Sequence, residues 1–166
     1  MRPVELRKQA LAVLCLSDLD EKISQTLALR PDKASTTPVT LDTEALLDPP
    51  SDITLPARPA RPEWVLHTQV ARRSPKTLSG RASLIHSIAH IEYNAVNLAL
   101  DAIWRFPGMP ETYYRDWLQV AVEEAQHFSL LRAHLRQMHQ PPSPSVSNAR
   151  PVPQIEWQEV PQQGWD

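Results

Sequence analysis

The stretch from Ser79 to His139, SGRASLIHSIAHIEYNAVNLALDAIWRFPGMPETYYRDWLQVAVEEAQHFSLLRAHLRQMH, decides the fold. Its first part, up to Arg105, has no proline and is dense in alanine, leucine and isoleucine, which predicts one long helix. The turn Phe106–Pro110 contains a glycine and two prolines, and these residues end helices. A second helix follows the turn and runs to about His139. Two long helices joined by so short a turn must lie antiparallel.

Prolines limit regular structure in the rest of the chain, because proline removes a backbone donor and clashes with a helix interior. The 166 residues include 17 prolines, of which eight fall within 31–75 and six within 141–161. We therefore predict an all-α protein whose helical domain spans residues 1–139. Its expected parts are short N-terminal helices over 3–29, a Pro-rich loop over 30–75, the long hairpin over 76–139, and an irregular, disordered Pro-rich tail over 140–166.

The N-terminal region carries its own helix signals. Pro3 suits the first turn of a helix, which we expect over 3–16. Asp18 is a capping residue with Glu21 three positions later, the pattern of a helix start, so a second helix should run to about Leu29. In the loop, residues 42–47 could form one helical turn, and Trp64 and its neighbour are expected to hold the extended chain against the helices.

Composition excludes several functional classes. The formal net charge is −2, so bulk electrostatics gives no reason to expect nucleic-acid binding. The single cysteine, Cys15, cannot form an intramolecular disulfide, and its apolar surroundings predict a buried, inert thiol. No apolar run approaches the ~20 residues of a membrane span, and no signal peptide is recognisable. A soluble, cytoplasmic protein is the expectation.

Two carboxylates interrupt the apolar faces of the hairpin. Glu92 shares a helical face with alanine, valine and isoleucine residues, and Glu124 repeats this on the second helix. His127 follows Glu124 by three residues, a spacing that puts the two side chains side by side, with Cβ atoms about 5–6 Å apart. Burying an unpaired charge is costly, so each carboxylate must be paired, protonated or bound to a cation. Each residue taken alone also has an ordinary explanation, as a helix-edge glutamate or a satisfied core histidine.

The combination favours a metal site. Glu92 lies 16 residues before Gly108 and Glu124 lies 16 residues after it, so an antiparallel pair brings them to the same level. Helix bundles that hold two iron or manganese ions place Glu on one helix and Glu-x-x-His on its neighbour. Carboxylate oxygen with imidazole nitrogen suits iron, manganese or zinc. We therefore predict Glu92, Glu124 and His127 as metal ligands.

Other polar residues of the hairpin are weaker candidates. His86 and His90 are one turn apart, but His90 lies about 160° around the helix axis from Glu92. Glu123 faces away from Glu124 and is expected to be a second-layer or ordinary surface residue. The hairpin tyrosines are expected to pack rather than to act as redox neighbours, namely Tyr93, Tyr113 and Tyr114.

Several separated motifs resemble one known family, the bacterial ferritin-like family called domain of unknown function 455. The resemblance covers most of residues 60–136, and its motifs keep their order along the chain. They are Ala89-His90-Ile91-Glu92, Leu98-Ala99-Leu100-Asp101-Ala102, Arg105-Phe106-Pro107, Tyr114-Arg115-Asp116-Trp117-Leu118 and Glu123-Glu124-Ala125-Gln126-His127-Phe128.

The resemblance implies a four-helix bundle with a carboxylate-bridged di-iron or dimanganese site, in which Glu92, Glu124 and His127 match the first half of the ligand set. Family members continue with a second hairpin that carries another Glu and another Glu-x-x-His. This chain instead continues into its Pro-rich tail, so we interpret it as a shortened member. Its open apolar face predicts a homodimer that restores the ligand set; the alternative is that the N-terminal helices cover this face in a metal-poor remnant.

Two functions follow as hypotheses. The first is a ferritin-like protein with a carboxylate/histidine metal site, with iron or manganese as cofactor, acting as an oxidoreductase on an unknown substrate if dimerisation completes the site. The second is a metal-free helical interaction module or a non-functional truncated remnant, whose apolar stripe binds a partner helix.

Overall fold

The computed structural model describes the chain in five segments, residues 4–30, 39–60, 64–66, 73–138 and 162–164. Four helices dominate these segments, and the two longest follow each other as an antiparallel pair, as the sequence predicted. The helices are α1 Leu6–Leu14, α2 Leu19–Ala28, α3 Leu78–Arg105 and α4 Glu111–Met138. Short strands accompany them, namely β1 Val4–Glu5, β2 Val39–Thr40, β3 Trp64–Leu66 and β4 Gln162–Gly164.

The chain divides into two compact units. The first comprises residues 1–59 with 92–127, and the second comprises residues 60–91 with 128–166. Both long helices are continuous and contribute to each unit. The predicted metal ligands all belong to the first unit.

Helix α1 begins at Leu6 rather than at the predicted Pro3. The Glu5 carboxylate accepts hydrogen bonds from the amides of Arg7 and Lys8, at 3.0 and 2.8 Å, and so caps the helix. Residues 4–5 are extended because β1 pairs in parallel with β2. The pairing partner is 35 residues away along the chain, from Val4 to Val39, so local sequence rules do not foresee it.

Helix α2 starts where the capping signal predicted. The Asp18 carboxylate accepts a hydrogen bond from the Glu21 amide at 2.8 Å, which satisfies one of the free donors of the first turn. The helix ends at Ala28, within one residue of the expected Leu29.

A buried arginine joins α1 to the end of α3. Arg7 is 1% exposed, and its guanidinium donates to the carbonyl oxygens of Ile103 and Trp104, at 3.3 and 2.8 Å. It also donates to three carbonyl oxygens of the loop over 42–45, at 2.7 to 3.1 Å. The last carbonyls of a helix carry partial negative charge, so they compensate a cation that no carboxylate contacts in these hydrogen bonds.

A buried lysine joins α2 to α3. The Lys22 ammonium donates to the carbonyl oxygens of Leu14 and Ala57, at 3.3 and 2.6 Å, and to Asn97 Oδ1 at 3.0 Å. Burial, and then the nearby Arg58 cation, lower the pKa of Lys22 to about 8. The N-terminal helices therefore pack on the hairpin through specific polar contacts as well as apolar ones.

The hairpin turn is fixed by the loop that crosses it. Gly108 has a φ of 74°, a left-handed conformation that glycine adopts without strain, and its amide donates to Thr43 O at 2.7 Å. The Tyr114 hydroxyl donates to Phe106 O at 2.7 Å. The predicted helical turn over 42–47 is only a turn at Thr43–Glu44, because the carbonyls of this loop bond to Arg7 and Gly108 instead.

In the second unit the chain approaches itself closely where α3 begins. A Cβ at Gly80 would lie 1.8 Å from Ser74 O, so only glycine fits there. Strand β3 pairs in parallel with β4, which gives three residues of the predicted tail a regular conformation. The rest of that tail, and the packing expected of Trp64, lie outside the described residues and side chains. Among the described residues, no helix has the length and apolar character needed to cross a membrane.

Candidate metal centre

Glu92, Glu124 and His127 meet at one point of the first unit. Each offers one ligand atom, and these atoms all lie within 4.8 Å of one another. Helix α3 supplies Glu92 and helix α4 supplies the other two. The convergence predicted from the equal distances to the turn is confirmed.

The two ligands on α4 contact each other directly. His127 Nδ1 lies 3.2 Å from Glu124 Oε2, as expected for positions three residues apart on a helix. This contact orients the imidazole beside the carboxylate, and it leaves Nε2 out of that hydrogen bond.

The two carboxyl groups share a proton. Hydrogen bonding to Glu124, then burial and the charge of Glu124, raise the pKa of Glu92 from 4.5 to about 7. The same hydrogen bond lowers the pKa of Glu124, and His127 lowers it further. Without a cation, Glu92 is therefore the protonated partner and Glu124 the ionised one. Two carboxylates this close need a proton or a cation between them.

The cluster is open to solvent on one side. The side chain of Glu124 is 23% exposed and that of His127 is 56% exposed. The sequence placed all three residues within buried apolar stripes. The structure corrects this for His127, which lies at the rim of the stripe, because the N-terminal helices cover the opposite side of α3 and α4 in this unit.

The donor set fits a divalent transition-metal ion. Two carboxylates and one imidazole combine oxygen and nitrogen donors, which suit iron, manganese or zinc. A carboxylate with two oxygens can also bridge two ions. Three side chains supply fewer donors than the four to six or so that such ions take, so water or further ligands would complete the coordination.

The neighbouring candidates from the sequence lie outside this cluster. Glu123 is exposed and accepts a hydrogen bond from Gln119 Nε2 at 2.8 Å, as expected of an ordinary surface residue. His86 and His90 are buried, and neither belongs to the cluster. Cys15 is half-buried, and burial raises its pKa, which agrees with an unreactive thiol.

The tyrosines pack as expected. Tyr93 and Tyr114 are buried, and the ring of Tyr113 contacts those of Tyr114 and Trp117 edge to face. The sequence analysis missed the two buried cations near the site, Arg7 and Lys22. Each lies among apolar positions of a short helix, and that pattern is the signal that could have revealed them.

Comparison with known proteins gives the chain its family. The profile described as "Protein of unknown function (DUF455)" matches residues 15–141. An uncharacterized protein of Haemophilus influenzae is 46% identical over 87 residues, which cover 48% of this chain and 30% of that protein. The chain therefore matches less than a third of the length of that relative. No solved structure matches significantly. Most of the chain lies within the matched profile, so this protein belongs to the DUF455 family of proteins of unknown function.

Proposed function

We propose that this protein is a ferritin-like metal-binding protein whose Glu92, Glu124 and His127 hold iron or manganese, and that it acts as an oxidoreductase. The observation that carries the proposal is the meeting of these three side chains within 4.8 Å from two different helices. Packing alone gives no reason to bring two carboxylates together. Their proximity is unfavourable without a proton or cation, as the raised pKa of Glu92 indicates.

The residues have distinct roles in this proposal. Glu92 and Glu124 supply negative charge from facing helices, and either could bridge two ions. His127 supplies a neutral nitrogen donor, and its contact with Glu124 at 3.2 Å holds the ring in place. Iron bound here would supply redox chemistry with oxygen.

The surroundings limit side reactions. Val96 and Phe128 are fully buried residues about one turn from Glu92 and Glu124 along their helices. Such apolar side chains restrict water on the closed side of a site, while the exposed His127 side leaves access for a small molecule. The substrate remains outside this proposal.

Metal loading tests the proposal. Purified protein is incubated anaerobically with ferrous iron, desalted, and measured for bound metal per chain. We expect stoichiometric metal on the wild type and a large loss in Glu124→Ala, which removes a central ligand. Glu123→Ala is the matched control, because it removes a neighbouring carboxylate that bonds only Gln119 among the printed contacts. Equal metal content in all three proteins would refute the proposal.

A second candidate is a metal-free helical interaction module. Exposed large apolar residues on α3, Leu84, Ile91 and Leu98 among them, favour it, since such surfaces mark interaction sites. The melting temperature discriminates the two. A rise on addition of manganese supports the metal protein, whereas association that ignores the metal supports the module.

A further inference from the structure

We propose that a second copy of this chain pairs with the first through α3, about a two-fold axis near Ile91, and that the partner supplies a second Glu92–Glu124–His127 set to one shared metal centre. The inference rests on the proposed function and adds a partner to it. It makes the complete site a property of the dimer rather than of the single chain.

The first argument is that the site is incomplete in one chain. The described residues hold one cluster of three or more potential ligands, and it has a single imidazole. Its open side is where His127 is 56% exposed. Residues 140–166 contain no histidine, so the tail cannot add another imidazole. A second copy brings two more carboxylates and one more imidazole.

The second argument is an exposed apolar stripe beside Glu92. Leu84, Ile88, Ile91 and Leu98 are exposed although they are large and apolar, and Ala95 completes the row at intermediate exposure. Their spacings along α3 are four, three, four and three residues, which is the spacing of a helix–helix seam. The row lies about 80° around the axis from Glu92, next to the ligand and on the solvent side.

The third argument is that this stripe complements itself. Counted from Ile91, its members lie at −7, −3, 0, +4 and +7, which is nearly symmetric. A two-fold axis perpendicular to α3 therefore sets Leu84 against the partner's Leu98, and Ile91 close to its own copy. Such pairing of one patch with itself is the commonest interface of homo-oligomers.

The same axis brings the ligands together. Glu92 lies one residue from Ile91, so the two copies of Glu92 would differ by only about 3 Å in height along the helices. Glu124 and His127 of each chain lie within 4.8 Å of their own Glu92. The pairing therefore collects four carboxylates and two imidazoles at one level.

Charge makes the pairing dependent on metal. Four carboxylates in one partly buried space repel one another, and a divalent cation removes that repulsion. This separates the proposed dimer from ordinary apolar association, which would form without metal.

Sedimentation of the full-length chain with manganese tests the proposal. Mn²⁺ is used because it does not oxidise readily under these conditions. We expect a monomer in chelator and a dimer in Mn²⁺. Leu98→Arg, at a position 62% exposed, should keep its helical circular dichroism, stay monomeric and bind Mn²⁺ about tenfold more weakly or worse. Leu46→Arg is the matched control, because Leu46 is 83% exposed and lies outside α3; it should dimerise like the wild type.

The outcomes separate this inference from the proposed function. Mn²⁺ bound with unchanged affinity by a monomeric wild type, or by monomeric Leu98→Arg, overturns the shared centre and leaves a one-chain metal site. A dimer that forms equally in chelator overturns the metal link. A chain that binds neither Mn²⁺ nor Fe²⁺ overturns the proposed function itself.

Discussion

Replacing Glu92 by glutamine should stabilise the metal-free protein at pH 8 and change it little at pH 5. Glutamine copies the protonated carboxyl group, which can donate a hydrogen bond to Glu124 without adding charge. Near pH 5 the wild-type Glu92 is protonated in the folded state, so the two proteins resemble each other. Above pH 7 the wild type must hold two ionised carboxylates side by side, and the variant does not.

The size of the effect follows from linkage. The pKa of Glu92 rises from 4.5 to about 7 on folding, so between these values the folded state binds more protons than the unfolded state. The free energy of unfolding therefore falls as pH rises through this window. Two and a half units correspond to at most about 3 kcal/mol. Because the pair is partly open to solvent, screening reduces this to about 1–2 kcal/mol.

Urea denaturation of metal-free protein at pH 5 and pH 8 measures the effect. Glu92→Gln should gain its 1–2 kcal/mol or so at pH 8 only, and the control Glu123→Gln should show no such pH-dependent gain. Added Mn²⁺ should reverse the order, because ligand at a hundredfold excess over Kd stabilises the wild type by about 2.7 kcal/mol. A Glu92→Gln variant that is less stable than the wild type at pH 8 without metal would refute the reasoning.

Three further changes test the frame around the site. Arg7→Met should cost about 3 kcal/mol in urea denaturation, because it strands two buried carbonyl oxygens at the end of α3; a loss below ~1 kcal/mol would contradict that role. Asp18→Ala should cost about 1 kcal/mol by loss of the α2 cap, and an unchanged midpoint would count against the cap. Gly80→Ala should lower the melting temperature, since its Cβ would meet Ser74 O at 1.8 Å; a variant as stable as the wild type would contradict this contact.

The hairpin and its ligands were predictable because local rules fix them. The Pro/Gly turn sets both helix ends, and the observed helices, 78–105 and 111–138, lie within a residue or so of those predicted. Equal distances from Gly108 then determine that Glu92 and Glu124 meet. No tertiary information was needed for either step.

The surroundings of the site depend on contacts between distant residues. Arg7 finds its acceptors 96 and 97 residues away, at Ile103 and Trp104, and periodicity within α1 cannot identify them. The exposure of His127 depends on which side of the hairpin the N-terminal helices cover. Helical periodicity gives the apolar face of α4 but not the extent to which a neighbour buries its rim.

Anomalous diffraction from crystals of the manganese-loaded protein tests the central claim most directly. We predict an anomalous peak within bonding distance of carboxylate oxygens of Glu92 and Glu124 and of a ring nitrogen of His127. A protein that carries stoichiometric manganese but shows its peak elsewhere, with these three side chains free of metal, would contradict the account.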